Sequence, residues 1–436
     1  MRALYNILFF LFFCLSAPFY FLKMWRRGNW RRGFGQRFGR YDSGLKQALT
    51  NRDVLWLHAV SVGEVGICIE LIRALETRLP NIKFVVSTTT STGMGELKSK
   101  LPLHISKVYY PIDFPSCVRR ALGVIHPSAI VLVEAEIWPN FLWNASRAGI
   151  PLFLVNARLS ERSYRGYKRF GFLFRPLFSA FAAVGAQNDS DATRLREIGC
   201  RADAVNVMGN LKFDAAKLDD RKALDVPGLL RQLAVPSNAR ILVAGSTHAG
   251  EEAILGDQFL RLKKQFQNLF LVLVPRHMER SKAVGEELKT RGVKFVYRTE
   301  LTASAAFEPG DVECLLVNTT GELKYFYEHA AVIFVGKSLT AEGGQNPIEP
   351  GALGKAMVFG PNMQNFAPIA GAFVANGGAV QVPDAPALEQ ALFDLLANEA
   401  RRAELGRNAL RVVTENQGAV ARTADMIVKH LESQRR

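Results

Sequence analysis

From Val54 onward the chain repeats one pattern, a short run of continuous apolar residues, a loop of small or polar residues, then an amphipathic stretch. The apolar runs lie at 54–58, 83–88, 129–134, 151–156, 182–187 and 204–208, and again at 240–244, 269–275, 313–318, 331–336, 356–359 and 379–382. A strand that is apolar on both faces has to be buried on both, and alternation with helices supplies the cover, so the pattern predicts parallel sheets with helices on each side. The polar stretch 212–238, with Asp219, Asp220, Pro227 and Pro236, separates the two series and reads as a linker. A chain of 436 residues exceeds one ordinary core. The expected fold class is therefore α/β, with two Rossmann-like domains facing a central cleft, and chemistry is sought in the strand-to-helix loops at the carboxyl ends of the strands.

The formal net charge is +15, and Arg2, Lys23, Arg26, Arg27, Arg31, Arg32, Arg37 and Arg40 meet no acid within the first forty residues. Such local charge favours an anionic surface, either nucleic acid or lipid headgroups. The uncharged run 3–22 decides for lipid, because a helix needs about 20 apolar residues to cross the bilayer core. A cleaved signal peptide would carry its charge ahead of the run, whereas here the cluster follows it. The positive-inside rule keeps the remainder in the cytoplasm, and Trp25 and Trp30 suit the interface. The expectation is an uncleaved membrane anchor, spanning the bilayer or lying partly in it, with no nucleic-acid partner. Cys14, Cys68, Cys117, Cys200 and Cys314 show no C-x-x-C spacing, which argues against a disulfide framework or a zinc site. The expected domain limits are 1–32 for the anchor, 33–211 and 239–415 for the two domains, 212–238 for the linker, and 416–436 for a helix that packs back on the first domain.

Several loops carry candidate chemistry. "HAVSVGEVG" follows the first run, and its Ser61, Gly63 and Glu64 sit where a strand gives way to a helix. Glu64 there is either a general base for an acceptor hydroxyl or an acid that complements the helix dipole. "VEAEIWPN" sets Glu134 and Glu136 two apart, on one side if the chain is still extended. In 156–178, Arg158, Arg162, Arg165, Lys168, Arg169 and Arg175 are opposed by Glu161 alone and interleaved with Tyr164, Tyr167, Phe170, Phe172, Phe174 and Phe178. That segment is either a solvated helix or a seat for a phosphorylated lipid on an anionic membrane surface.

The second series offers "AGSTHAGEE", where Gly245, Ser246 and Thr247 supply N–H and hydroxyl donors for a phosphate or sugar, "VPRH" with Arg276 and His277, and "NTTGEL" with Thr320, Gly321 and Glu322. In "GGQNPIEPGALGKAMVFG", residues 343–360, Gly343 and Gly344 let the backbone approach a ligand, Pro347 suits a first helical turn, and Asn346 and Glu349 share a face. Glu349 is thus positioned to accept from paired hydroxyls, as in a nucleotide-sugar seat. "GKS" at 336–338 lacks the upstream glycine of a P-loop, and "GMGELK" lacks the third glycine of a dinucleotide fingerprint.

Taken in order, "HAVSVGE", "VEAEIWPN", "NARLS", "GNLKFD", "STHAGEE", "VPRH", "TTGEL" and "GGQNPIEP" resemble the 3-deoxy-D-manno-octulosonic acid (Kdo) transferases of lipopolysaccharide synthesis. The resemblance implies a GT-B glycosyltransferase with no metal and no cofactor, which moves Kdo from CMP-Kdo to a lipid A precursor at the cytoplasmic face of the inner membrane. It implies Glu64 as catalytic base, and Arg276, the Gly321 loop, Asn346 and Glu349 as CMP contacts. Two residues depart from the family pattern: Lys337 stands where "VGGS" has its second glycine, and Gln345 stands where histidine is frequent. Lys337 either adds charge near the donor phosphate or points to solvent. A GT-B transferase using a UDP-sugar and a non-catalytic membrane-anchored nucleotide-binding protein are the alternatives.

Overall fold

The structure is a computed structural model and describes residues 2–26, 31, 33–134, 137–216, 224–302 and 305–435. Glu136, Asp219, Asp220, Arg27, Trp30 and Arg32, all used in the sequence reading, lie outside the described residues. The chain forms two compact units, Met1–Ala215 with Gln417–Arg436, and Ala216–Asn416.

In the first unit, β1 (Val54–His58), β2 (Lys83–Thr88), β3 (Ser106–Tyr109), β4 (Ala129–Val133), β5 (Leu152–Ala157), β6 (Phe181–Ala186) and β7 (Val205–Val207) form one parallel sheet in the order β3-β2-β1-β4-β5-β6-β7. The apolar runs are continuous because successive residues serve opposite cores. Trp56, Ile130, Leu132 and Leu154 pack on one face with Phe141 and Phe178. Leu55, Leu57, Val131, Val133 and Phe153 pack on the other with the helix Val62–Glu76. Each fully buried side chain of this size stabilises by roughly 1.5–3 kcal/mol. The helix Ala419–Arg435 completes the second core through Ala424, Ile427 and Leu431. Asp214 fastens its start, accepting N–H bonds from Gly418 at 2.8 Å and Val420 at 2.9 Å.

The helix Arg2–Arg26 contains a stretch, Arg2–Leu22, that is long and apolar enough to cross a membrane. Tyr5, Phe9 and Phe13 recur every fourth residue, so they share one face, and their rings pack on Trp143, Trp138 and Phe114. The Tyr5 hydroxyl donates to Asp113 at 2.8 Å, and Asn140 Nδ2 donates to Asn6 Oδ1 at 2.8 Å. Asp113 also accepts the N–H groups of Asn140 and Phe141 at the start of the helix Pro139–Arg147. Burial outweighs these donors and pushes the Asp113 carboxyl up to about 7. Leu4, Leu8, Phe12, Leu15 and Phe19 on the same helix are exposed.

The second unit repeats the plan with β8 (Arg240–Thr247), β9 (Leu269–Pro275), β10 (Phe295–Tyr297), β11 (Cys314–Leu316), β12 (Val332–Val335), β13 (Met357–Phe359) and β14 (Val380–Gln381), all parallel, in the order β10-β11-β9-β8-β12-β13-β14. Leu242, Ala244, Leu271, Leu273, Phe334 and Val358 face the helix Glu251–Lys263 through Leu255 and Phe259. The strand order reverses between β1 and β4 in the first sheet and between β8 and β12 in the second, where β11 is also inserted between β9 and the edge strand β10. Open α/β sheets bind ligands outside the carboxyl ends at such a reversal.

Candidate active site

At the first reversal, β1 ends in His58 and the chain turns through Ala59 and Val60 into the helix Val62–Glu76. Ser61 caps that helix, its Oγ accepting the N–H of Glu64 at 3.3 Å. The Glu64 carboxylate folds back, accepting the Val60 N–H at 2.8 Å on Oε2 and the Ser61 hydroxyl at 2.7 Å on Oε1. The S-x-x-E spacing of a capping box makes this possible, but here the carboxylate takes the N–H of the residue before the cap and the cap's hydroxyl instead of the cap's own N–H. The arrangement orients a carboxylate that is 9% exposed. Ser61 and Gly63 are exposed beside it. His58 does not join them: it is fully buried, stacks on Tyr110 at 3.8 Å and holds Ser87 Oγ at 2.9 Å through Nδ1. Its Nε2 has no partner among the described residues, and burial pushes the imidazole down to about 3.

Across the reversal, β4 stops at Val133, and the extended geometry expected for Glu134 does not hold. Glu134 is left-handed, with φ +60°, so the strand's alternation ends one residue early, at Val133, and the extended backbone on which the expectation rested is absent at Glu134. Its carboxylate turns to Lys212 Nζ at 2.8 Å, with Asn156 Nδ2 at 3.4 Å. Asn156, at φ +51°, is buried and accepts the Leu211 N–H at 3.0 Å, while its carbonyl takes Gln187 Nε2 at 3.0 Å. Gln187 in turn accepts from Asn210 at 3.0 Å. Two adjacent strands thus carry a non-glycine residue with φ > 0 at their carboxyl ends, Glu134 just after β4 and Asn156 one residue before the end of β5, the kind of backbone strain that clusters at functional sites. Lys212, Asn156, Gln187 and Asn210 were not among the sequence candidates. Asn210 and Lys212 lie in "GNLKFD" and Asn156 opens "NARLS", but sequence spacing alone connects none of them to Glu134.

The segment 158–178 forms two helices, Glu161–Arg169 and Gly171–Phe178, broken at Phe170. Arg165 pairs with Glu161 at 2.9 Å, and Lys168 with Glu197 at 3.0 Å, where the Tyr164 hydroxyl also bonds Glu197. Arg162 and Arg169 are exposed, and Arg158 is half-buried. Phe178 is core, and Tyr167 and Phe174 pack against it, whereas Phe170 and Phe172 are exposed.

At the second reversal, Gly245 lies where a Cβ would strike the Tyr327 ring, and Ser246 follows at φ +55°. Thr247 is buried, its hydroxyl 3.1 Å from Glu252, so it faces the interior instead of offering a donor outward. Glu252 also binds Arg280 bidentately at 2.8 and 3.2 Å. Glu251, fully buried, accepts four backbone N–H groups: His248 and Lys337 on Oε2, Ser338 and Leu339 on Oε1. Arg276 and His277 stand exposed after β9. Gly321, at φ +84°, is exposed with open space where a Cβ would stand, next to exposed Thr320. Glu322 is tied to Arg298 at 3.0 Å and Thr319 at 2.7 Å. In the glycine-rich loop, Gly343 and Gly344 have φ +121° and +71°, and Pro347 caps the helix Ile348–Ala352 instead of opening it. Asn346 Nδ2 reaches Glu349 Oε1 at 3.5 Å, so these two share a face, and both are half-buried.

Comparison with known proteins bears on this geometry. Residues 32–215 match the family model described as 3-deoxy-D-manno-octulosonic-acid transferase (kdotransferase). The chain is 30% identical to a 3-deoxy-D-manno-octulosonic acid transferase of Haemophilus influenzae, over 93% of this chain and 92% of the relative. It is 33% identical to the Bordetella pertussis protein of that name, over 94% and 96%. Among solved structures, a UDP-GlcNAc 2-epimerase from Neisseria meningitidis superposes with a TM-score of 0.59 at 15% identity, over 86% of this chain and all of that one, a likeness of fold alone. Two parallel Rossmann-like sheets of the GT-B kind, with 30% and 33% identity over more than nine-tenths of the chain, make this chain a member of the 3-deoxy-D-manno-octulosonic acid transferase family, and a glycosyltransferase.

Proposed function

We propose that the protein transfers Kdo from CMP-Kdo to a phosphorylated lipid A precursor, with inversion at the anomeric carbon, on the cytoplasmic side of the inner membrane. The observation that carries the reading is the Glu64 carboxylate, fixed by Val60 N–H and the Ser61 hydroxyl at the strand-order reversal of a family member. A general base has to be within hydrogen-bond reach of the proton it takes, and two donors that set its plane make it ready for an incoming hydroxyl. Glu64 takes the proton as the acceptor oxygen attacks the anomeric carbon, and CMP departs from the opposite face. A single displacement inverts that carbon.

Unit 2 takes the donor in this reading. Arg276 and the open Gly321 loop, with Thr320, meet the phosphate, and Glu349, oriented by Asn346, accepts from the ribose hydroxyls. Charged hydrogen bonds of this kind contribute roughly 1.5–3 kcal/mol each. Ser246 and the backbone beside Gly245, and Gly344 in the glycine-rich loop, complete the seat. Unit 1 takes the acceptor, with Glu134 and Lys212 beside the reacting end, and with Arg158, Arg162, Arg165, Lys168 and Arg169 near the lipid phosphates. The exposed face of the helix Arg2–Arg26 enters the membrane, and anionic lipids meet the basic residues that follow it.

Incubation of the full chain with a tetra-acylated lipid A precursor and either CMP-Kdo or UDP-sugars, read by product mass, tests this. Kdo-sized mass gains from CMP-Kdo alone are expected. Transfer from a UDP-sugar, or none from CMP-Kdo, contradicts it.

A further inference from the structure

Lys337 occupies a backbone position that suits glycine. It follows β12 at φ +55°, a left-handed conformation unfavourable for a side-chain-bearing residue. Its backbone is held on both sides, the N–H on Glu251 Oε2 at 2.7 Å and the carbonyl on the Gly344 N–H at 2.9 Å. Nothing in that bonding uses the side chain. The ammonium nevertheless has a definite seat over the glycine-rich loop: a Cβ on Gly343 would come within 3.3 Å of Lys337 Nζ. The residue is half-buried, and among the described residues its ammonium has no carboxylate partner. Glu251, which holds the Lys337 N–H, is spent on four backbone N–H groups, and Glu252 on Arg280.

The surroundings add cations. His248, half-buried in the loop after β8, is held below its usual range by burial and then by Lys337, Arg280 and His277, against the single acid Glu251. The His248 and His277 rings are 5.8 Å apart. Because the strand order is β9-β8-β12, Arg276 and His277 leave one neighbour of β8 and Lys337 leaves the other. Two cationic positions therefore flank the loop that carries Ser246 and His248. The helix Glu251–Lys263 offers no anion seat at its own start, since Glu251 and Glu252 already fill the first turn.

Two cationic positions fit a donor with two anions. In a CMP-linked 2-keto sugar acid, one anomeric carbon carries both the phosphate-bearing oxygen and the carboxylate, so the two charges are neighbours. An ordinary UDP-sugar has hydrogen in the carboxylate's place. We propose that Lys337 and His248 form a subsite for the sugar acid's carboxylate, leaving the phosphate to Arg276; this rests on the CMP-Kdo reading above. The subsite makes Lys337 a specificity determinant for acid sugars in this chain.

The test compares K337G and K337R with wild type in the full-length protein, measuring KM for CMP-Kdo and the inhibition constant of CMP, which has the phosphate but not the carboxylate. Glycine is at home at this φ, so K337G is expected to fold. Loss of a charged hydrogen bond should raise KM for CMP-Kdo about tenfold or more while CMP inhibition stays within about twofold, and K337R should recover most of the loss. An unchanged KM means the ammonium serves no anion of the donor and overturns the proposal. An equal rise for CMP and CMP-Kdo assigns the cation to the phosphate and overturns it too. Wild-type turnover of CMP-Kdo is the control: its absence would defeat the functional reading itself, whereas turnover with a wild-type profile in K337G defeats only the carboxylate subsite.

Discussion

The carboxyl edges of the two sheets have the same topology and opposite chemistry. At the edge of the first unit the groups brought out are acids, Glu64 held by the Val60 N–H and the Ser61 hydroxyl and Glu134 against Lys212. At the edge of the second, the acids Glu251 and Glu252 are turned inward and consumed, and Arg276, His277, His248 and Lys337 remain outside. Both edges hold pairs of non-glycine residues in left-handed backbone, Glu134 with Asn156 and Ser246 with Lys337. The difference teaches that the doubly wound sheet supplies only a place, the strand-order reversal, and that loop residues decide whether protons or anions are handled there. In our account the first edge does proton chemistry on the acceptor and the second holds the donor.

The largest effect that could break this division is at Glu64. Glu64→Gln keeps an oxygen for the Val60 N–H and an amide for the Ser61 hydroxyl, so the fold should stand, while transfer falls by about 10² to 10⁴ in steady-state rate. A rate within a few-fold of wild type would remove Glu64 from the chemistry and leave it as a helix cap.

A second prediction sharpens the first edge through pH. His58 is held neutral in the fold, down to about 3, so the unfolded chain takes up its proton first and His58 costs stability progressively as pH falls from 6.5. Asp113, raised to about 7, acts with the opposite sign, because the folded chain takes up that proton first and gains stability as pH falls from 7. His58→Phe, which preserves the stack on Tyr110, should remove the first contribution and expose the second. Relative to wild type, the variant should gain on the order of 3 kcal/mol between pH 6.5 and 4.5 in urea unfolding of the first unit. Parallel pH profiles for the two proteins would mean that His58 is not buried neutral.

Much of the fold is legible in the sequence. The central strands follow from continuous apolar runs, since those strands are buried on both faces. β3 and β10 escape such a reading because they are edge strands: Lys107 interrupts one, and Lys294 and Arg298 bracket the other, so neither has the apolar continuity of a doubly covered strand. Of the candidate site, the spacing of Ser61 and Glu64 announces a helix start, and Asn346 with Glu349 announces a shared face. The left-handed turns at Glu134 and Lys337 are not legible, because tertiary contacts, here Lys212 and Glu251, select that φ and local preference does not. The same holds for Thr247, whose hydroxyl is claimed by Glu252 five residues on.

At the second edge, Arg276→Ala and Glu349→Ala should each weaken CMP binding by roughly 1.5–3 kcal/mol in calorimetry. Unchanged affinity in both would move the donor elsewhere. The smallest effect belongs to the basic segment. Changing Arg165, Lys168 and Arg169 together to Gln should raise the apparent KM for a bisphosphorylated acceptor and reduce binding to anionic vesicles, modestly because Arg165 and Lys168 already have exposed acid partners. Wild-type acceptor kinetics and vesicle binding would make the segment structural.

The division of labour itself is tested most directly by titrating CMP into Glu64→Gln calorimetrically. The account predicts wild-type CMP affinity in this inactive variant, since a base for the acceptor hydroxyl does not touch the nucleotide. A loss of affinity as large as that of Arg276→Ala would contradict it, and would make Glu64 part of the donor seat.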